Sequence, residues 1–278
     1  MSKGYGILYV VATPIGNLHD ISERAISVLE HVEVIACEDT RRCRKLLSAL
    51  NVQSSDLISL HEHNEEKATA RVLAVLNEGC DVALVSDAGT PLICDPGFEL
   101  IRTLWKHKIR IIPVPGPSAI STILSLSPIP THDFRFAGFI PARAKARENR
   151  LKKLLNDGSS ILFFETARRL SNTLEALCKL EANRRQIFVA RELTKIHESL
   201  YFGSVEGVRD EIASSEHVRG EIVCLLGGAA PIRPDVDSML QVLLAELAPA
   251  QAARLAAKIT GEKRAYVYSR ALALASNG

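Results

Sequence analysis

Short apolar runs break three times, within the first 120 residues, into turns rich in Pro, Gly, Ser and Thr. Residues 7–12 run into Thr13-Pro14-Ile15-Gly16-Asn17, residues 82–85 into Ser86-Asp87-Ala88-Gly89-Thr90-Pro91, and residues 109–114 into Pro115-Gly116-Pro117-Ser118. Continuous apolar runs of this length read as buried parallel strands. Each turn leads into a stretch with helical spacing. Ligands of open α/β sheets sit just past the carboxyl ends of such strands, so the pattern predicts three ligand-facing loops.

The alternation of apolar runs with amphipathic stretches continues along most of the chain and predicts an α/β fold. Helices are expected over 21–29 with Asp20 as N-cap, from Glu38-Asp39-Thr40-Arg41-Arg42 to about 50, over 67–77 closed by Gly79, over 97–106, and over 119–126 capped by Ser118. Strands are expected over 32–37 and 57–60. A domain boundary is placed near 118–131, where Pro128 stops a helix. The pattern then restarts with strands over 136–140, 160–164, 186–190 and 220–226. Helices fall over 144–156 and 170–180, and 192–202 reads as a polar strand or loop. Residues 227–237, rich in Gly, Ala and Pro, read as a linker. Three further helices, over 236–247, 249–259 and 265–274 with Gly261 at a turn, resemble a helix-turn-helix unit or a plain helical cap. The expected division is 1–117, 118–230 and 231–278.

Composition narrows this little. The chain has 278 residues, 47% hydrophobic and 24% charged, as in ordinary globular proteins. No apolar stretch reaches the roughly 20 residues of a membrane span, and the amino terminus lacks signal-peptide character. Six scattered cysteines without a C-x-x-C pair argue for reduced structural thiols in a cytoplasm. The net charge of +2 is uninformative, but its distribution is not. Arg41, Arg42, Arg44 and Lys45 cluster, as do Arg143, Lys145, Arg147, Arg150, Lys152 and Lys153. Lys263 and Arg264 make the tail locally basic. Such clusters are either solvated helix faces or a nucleic-acid-binding side.

The chain lacks a P-loop, a G-x-G-x-x-G turn and a G-x-S-x-G elbow. His61 and His63 flank Glu62 without further spaced ligands, so no metal site is expected. The rigid small-residue turns suit a ligand gripped by main-chain groups, and a cofactor that carries the chemistry fits their poverty in acid–base pairs. Charged residues gather at other strand ends: Glu38-Asp39-Thr40-Arg41, Glu165-Thr166-Ala167-Arg168-Arg169 and Ala190-Arg191-Glu192-Leu193-Thr194-Lys195.

Taken together, residues 8–18, 36–41, 84–91 and 114–119 resemble the tetrapyrrole methylase superfamily, the class III methyltransferases, and within it the branch that methylates ribosomal RNA. Phe139-Ile140-Pro141, Phe164-Glu165-Thr166, the 190–195 segment and the helical tail extend the resemblance over nearly the whole chain. The porphyrinoid branch often carries Gly-Asp-Pro where this chain has Gly89-Thr90-Pro91. The resemblance implies two α/β domains holding S-adenosylmethionine in the cleft between them, a small helical domain, a cytoplasmic homodimer with no membrane association, and methyl transfer to a cytidine ribose 2′-oxygen in the decoding region of 16S rRNA, free or in the small subunit. By motif position it implies cofactor contacts at Pro14, Asp87, Ala88, Gly89, Thr90, Ser118, Ala119, Phe164, Ala190 and Arg191. Glu38, Asp39, Glu165, Arg191, Glu192 and Lys195 form the pool of candidate catalytic residues. Arg41, Arg42, Arg143, Lys145, Arg147, Lys263 and Arg264 are the candidate RNA contacts. Two other readings share these features: a methylase of a small acidic tetrapyrrole, and a nucleic-acid-binding regulator whose α/β body senses a ligand.

Overall fold

The computed structural model describes residues 4–53, 56–156, 158–214, 219–228 and 236–275. They fall into two compact units, Met1–Gly228 and Ala229–Gly278.

The first sheet contains β1 (Leu8–Val11), β2 (Val34–Cys37), β3 (Asp56–Ser59), β4 (Val82–Val85) and β5 (Ile111–Val114), in the order β3-β2-β4-β1-β5. Every pairing is parallel. Helices cover both faces, so the central strands β2 and β4 are buried at every position and read as unbroken apolar runs. Helices α1 (Glu23–His31) and α2 (Thr40–Ala49) close one face over Val11, Ile35 and Val85. Helices α3 (Glu65–Asn77) and α4 (Phe98–Lys106) close the other over Leu8, Ala36 and Leu84. The chain therefore leaves β1 in one direction along the sheet and β4 in the opposite one. That reversal opens a crevice at the carboxyl ends of the adjacent strands β1 and β4.

In the second sheet, β6 (Phe134–Phe139), β7 (Ser160–Thr166), β8 (Gln186–Arg191), β9 (Ser199–Ser204) and β10 (Glu221–Leu226) take the order β6-β7-β10-β8-β9. Only β6 and β7 are parallel; the other pairs are antiparallel. Helices α6 (Ala144–Leu155), α7 (Ala167–Lys179) and α8 (Val205–Ser214) bury one face around Phe163 and Val189. The other face, with Leu162, Phe188 and Val223, is covered by Ile123 of α5 (Ala119–Leu126) and by Ile15 from the loop after β1.

Several local expectations change. Ser22, not Asp20, caps α1, its side chain accepting from the Ala25 amide at 3.1 Å, while Asp20 ends a short 3₁₀ turn over Leu18–Asp20. Ser118 stands at the N-cap of α5 but its side chain makes no cap hydrogen bond. Helix α8 went unpredicted, although Val205, Val208 and Ile212 lie on one face and are buried. The stretch after β8 resolves into a turn followed by strand β9.

The carboxy-terminal unit packs α9 (Val236–Leu244), α10 (Pro249–Thr260) and α11 (Arg264–Ala275) around Leu240, Ala252, Ala256 and Val267. Gly261, in the left-handed region at φ 72°, terminates α10. Arg270 and Asp237 tie α11 to α9 by an ion pair. Residues 229–235, most of the expected linker, lie outside the described residues.

Candidate functional site

The crevice in the first sheet is built from main chain. The Thr13 amide donates to the Gly89 carbonyl at 2.9 Å and the Gly89 amide returns the bond to Thr13 at 3.0 Å. Gly89 holds φ 85°, a conformation costly for any residue with a Cβ. The Thr13 hydroxyl donates to Ser86 O at 3.2 Å and the Thr90 hydroxyl to Pro117 O at 3.1 Å. The three loops expected from the sequence are thus laced into one rigid floor.

Two seams join this floor to the second sheet. At the first, Gly16 sits so close to the 193–195 turn that a Cβ there would stand 2.3 Å from Lys195 Cγ and 2.9 Å from Leu193 O. Beside it the Asn17 amide donates to Thr194 Oγ1 at 3.1 Å. At the second, a Cβ on Gly138, next to Phe139 at the end of β6, would lie 3.3 Å from Cys94 Sγ in the loop after β4. Both contacting turns contain non-glycine residues with positive φ: Glu192 and Thr194 in one, Leu92 and Cys94 in the other. Such strain persists only where surrounding contacts hold it.

Among the pockets of the described residues is a cavity of about 380 Å³ lined from both sheets. Ile15, Asp87, Ala88 and Ala119 come from the floor. Phe164, Ala190, Leu193 and Val223 supply the opposite wall. Phe164 is held edge-on by Phe136, with ring centres 5.1 Å apart, and packs on Phe139 at 5.4 Å. Of the expected cofactor contacts, Asp87, Ala88, Ala119, Phe164 and Ala190 line this cavity. Gly89 and Thr90 serve the lacing behind it. Pro14 and Ser118 flank it in the same loops without lining it.

The pool of charged candidates separates by geometry. Glu38 lines the cavity, its carboxyl pushed above the usual range by burial and then by the neighbouring Asp87. Lys195 also lines it, with Nζ 2.8 Å from Glu192 Oε1 and 3.0 Å from Glu221 Oε2. Burial works against that charge, but the two carboxylates outweigh it and hold the ammonium above its ordinary range. Asp39 instead caps α2, accepting from the Arg41 amide at 2.8 Å, and its pKa is lowered first by that bond. Arg191 spends its guanidinium on the carbonyls of Arg219 and His197 and on Ser199. Glu165 is 2% exposed, its carboxylate taken up by Arg169 at 2.6 Å, Thr173 at 2.7 Å and the Thr166 amide. Glu165 also lines the cavity, from the end of β7, but its carboxylate is committed to Arg169 and Thr173 of α7.

Three residues of the loop after β4 were not anticipated: Ile93, Cys94 and Asp95 line the cavity. Burial, then Glu38, pushes the Asp95 carboxyl up to about 6. No periodic or motif signal marks residues 93–95 of this loop. Its Pro91 and the Asp95-Pro96-Gly97 triplet are only turn signals. Cys94, exposed and on the cavity, also departs from the structural role expected of the thiols.

The basic residues divide likewise. Arg41, Arg42, Arg143, Lys145, Lys263 and Arg264 are exposed. Arg42 pairs with Asp87 at 3.1 Å. Arg147 does not belong to that set: it is 9% exposed, on the inward face of α6, and donates to the Ala142 carbonyl at 3.0 Å. Helical periodicity explains this, since Arg147, Leu151 and Leu154 share a face. Among the described residues, no group of three or more His, Cys, Asp and Glu is arranged to hold a metal ion, and no helix is long and apolar enough to cross a membrane.

Comparisons with known proteins agree with this architecture. Residues 7–208 match the family described as Tetrapyrrole (Corrin/Porphyrin) Methylases, and residues 230–275 match the RsmI C-terminal HTH domain. The chain is 43% identical over 272 residues to Ribosomal RNA small subunit methyltransferase I of Xylella fastidiosa, covering 95% of this chain and 98% of that one. It is 41% identical over 270 residues to the protein of that name from Mesorhizobium japonicum, covering 96% and 92%. Among solved structures, a cobalt precorrin-4 methyltransferase of cobalamin biosynthesis is similar, with TM-score 0.61, 15% identity and coverage of 80% of this chain and 94% of that one. So is a uroporphyrin-III C-methyl transferase from Thermus thermophilus complexed with S-adenyl homocysteine, with TM-score 0.55, 16% identity and coverage of 80% and 97%.

Proposed function

The chain belongs to the tetrapyrrole methylases, in their ribosomal RNA small subunit methyltransferase I branch, and from that premise we propose that it transfers a methyl group from S-adenosylmethionine to the ribose 2′-oxygen of a cytidine in the decoding region of 16S rRNA. The observation that carries the reading is the two-walled cavity, set where the matched loops converge in a chain similar over nearly its whole length to named rRNA methyltransferases.

The residues present fit the methyl donor. A cavity of about 380 Å³ is in the range of cofactor pockets. Ala88, Ala119 and Ala190 let an adenosyl group approach main chain, and Phe164, Leu193 and Val223 exclude water from it. When bound, the cofactor supplies an electrophilic methyl on a sulfonium. The protein's task is then to place a hydroxyl oxygen in line and take its proton. We assign that proton to Glu38, the carboxylate of the original pool that lies on the cavity with a raised pKa. Lys195, held by Glu192 and Glu221, is the cation that the second sheet brings to the developing alkoxide. Arg191 and Asp39 position the turns behind these groups. With the methyl supplied by the bound cofactor, Glu38 would hold the hydroxyl proton and Lys195 would sit beside the oxygen that receives the methyl.

Residues 1–117 then furnish the cofactor floor, completed by Ala119; the rest of 118–230 furnishes the opposite wall, and 231–278 an RNA-binding module with Lys263 and Arg264 exposed. Arg143 and Lys145 extend the basic surface. The reading includes a cytoplasmic homodimer. A porphyrinoid substrate would leave the helical module without a role. The test is incubation with labelled S-adenosylmethionine and unmethylated small subunits, followed by mapping of the label. Label on a cytidine 2′-oxygen of 16S rRNA supports the assignment; label on a base, or on an added porphyrinogen alone, sinks it.

A further inference from the structure

A second depression adjoins the cofactor cavity. It measures about 470 Å³ and is lined by Glu38, Asp39, Thr40, Arg41, Arg42, Ser59, His61 and Asp87, all from the first sheet. Glu38, Arg42 and Asp87 belong to both spaces and form the rim between them. The two differ in chemistry. The cofactor cavity combines alanines, Phe164 and aliphatic side chains with charged groups such as Asp95 and Lys195, whereas every residue lining the groove carries a donor or acceptor on its side chain.

The groove is firmly built. Its roof is the first turn of α2, fixed by Asp39 and tied to the floor by the Asp39 amide donating to Asp87 Oδ1 at 3.2 Å. Its base is the turn after β3. There Ser59 Oγ donates to Glu38 O at 3.4 Å, Asn64 Nδ2 donates to Ser59 O at 3.0 Å, and the His61 amide donates to Asn64 Oδ1 at 2.8 Å. The His61 ring is not consumed by this scaffold. Its Nδ1 is buried and lacks a hydrogen-bond partner among the described residues. A buried polar atom left in this state costs free energy that a ligand would recover.

We propose that this groove receives the target nucleotide, unstacked from its strand, with the base in the groove and the ribose on the Glu38–Arg42–Asp87 rim facing the methyl donor. The inference rests on the functional reading above and adds to it a substrate subsite. Sequence-specific reading of RNA targets unstacked bases, splayed out and hydrogen-bonded on their edges. The Thr40 and Ser59 hydroxyls in the groove offer acceptors for an exocyclic amino group. Arg41 offers donors to a ring carbonyl or a flanking phosphate. His61 Nδ1 serves as donor or acceptor according to its tautomer. A pyrimidine bearing an amino group and a carbonyl presents the matching edge. A tetrapyrrole, many times the size of one base, has no counterpart for this division into a partly apolar cavity and a wholly polar groove.

The test uses the full chain saturated with S-adenosylhomocysteine and cytidine 5′-monophosphate as probe, read by saturation-transfer NMR. The wild type is expected to give a signal that Arg41→Ala combined with His61→Ala abolishes. His61→Gln alone should raise KM for unmethylated small subunits by about tenfold, a factor set by roughly one lost hydrogen bond to a buried partner, and the double variant should raise it further. The dissociation constant for S-adenosylmethionine should stay within about twofold of wild type, which also reports that the variants fold. A CMP signal that survives the double variant, an unchanged KM, or a loss of cofactor affinity in parallel with KM would each overturn the subsite. Failure of the wild type itself to methylate small subunits would instead strike at the functional reading, so the two failures are distinguishable.

Discussion

The two sheets of the amino-terminal unit meet the same cavity by different means. The first, wholly parallel, delivers loops that act through main chain and small side chains: Thr13 and Gly89 bonded amide to carbonyl, and Ala88 and Ala119 at the surface. The second, mostly antiparallel, delivers side chains from strand ends and turns: Phe164, Leu193, Lys195 and Glu165, the last anchored by Arg169. The contrast follows from topology. Parallel strands at a reversal of direction bring several loops to one edge, while antiparallel neighbours alternate their ends and leave single side chains to face across. A ligand held by such a pair is gripped by a rigid floor and covered by a more substitutable wall.

The largest effect is expected on the wall side. Glu165→Ala leaves Arg169 half-buried without its carboxylate and Thr173 without an acceptor. It should destabilise the protein by about 3 kcal/mol in urea denaturation. A loss below about 1 kcal/mol would show that Glu165 is not an anchor. Next, Glu38→Gln should cut methyl transfer by roughly 100-fold with cofactor binding kept, the usual range for removal of a general base. The wild-type rate should fall as acid protonates Glu38, at a pH above the ordinary carboxylate range, since its pKa is raised. A variant that retains the wild-type rate would return the proton to another acceptor.

A smaller loss tests the seam between the sheets. Gly16→Val places a Cβ against Leu193 O and Thr194 Oγ1, and should cost about 2 kcal/mol of stability by overpacking and weaken cofactor binding measured by calorimetry. Unchanged affinity would mean that the seam does not set the width of the cavity. The smallest effect belongs to Asp95, whose carboxyl is pushed up to about 6 from its ordinary value of 3.8. The native state therefore holds the proton more tightly than the unfolded chain, and stability falls as pH rises through that window. Asp95→Asn should stabilise the protein by about 1 kcal/mol at pH 8, allowing for solvent screening, and by nothing near pH 3. Equal melting temperatures at pH 8 would remove Asp95 from the buried set.

The floor was far more legible in the sequence than the wall. Apolar runs followed by Pro-, Gly- and Ser-rich turns marked β1, β4 and β5, because a strand buried on both faces needs a continuous run and its exit needs residues of special backbone freedom. The wall carried weaker signals. Strand β9 alternates between half-buried and exposed positions, and α8 is a short helix with only three buried residues, so neither gave a strong period. Charged strand ends drew attention equally to Glu38, Glu165 and Arg191. Spacing alone cannot say whether a carboxylate meets a cation beside it or a cavity in front of it.

By itself, then, the chain's pattern determined the α/β class and the loops that meet at the cavity, since both depend on local periodicity and turn chemistry, while its motifs carried the family resemblance. Tertiary structure decided what each charge does. Glu165 became an anchor because α7 folds Arg169 and Thr173 back onto it. Arg147 turned inward because its helix buries that face. Asp95 joined the cavity because a turn of the first sheet reaches the end of β6. These outcomes depend on contacts between residues far apart in the chain, where desolvation and partner geometry, rather than residue type, set the chemistry.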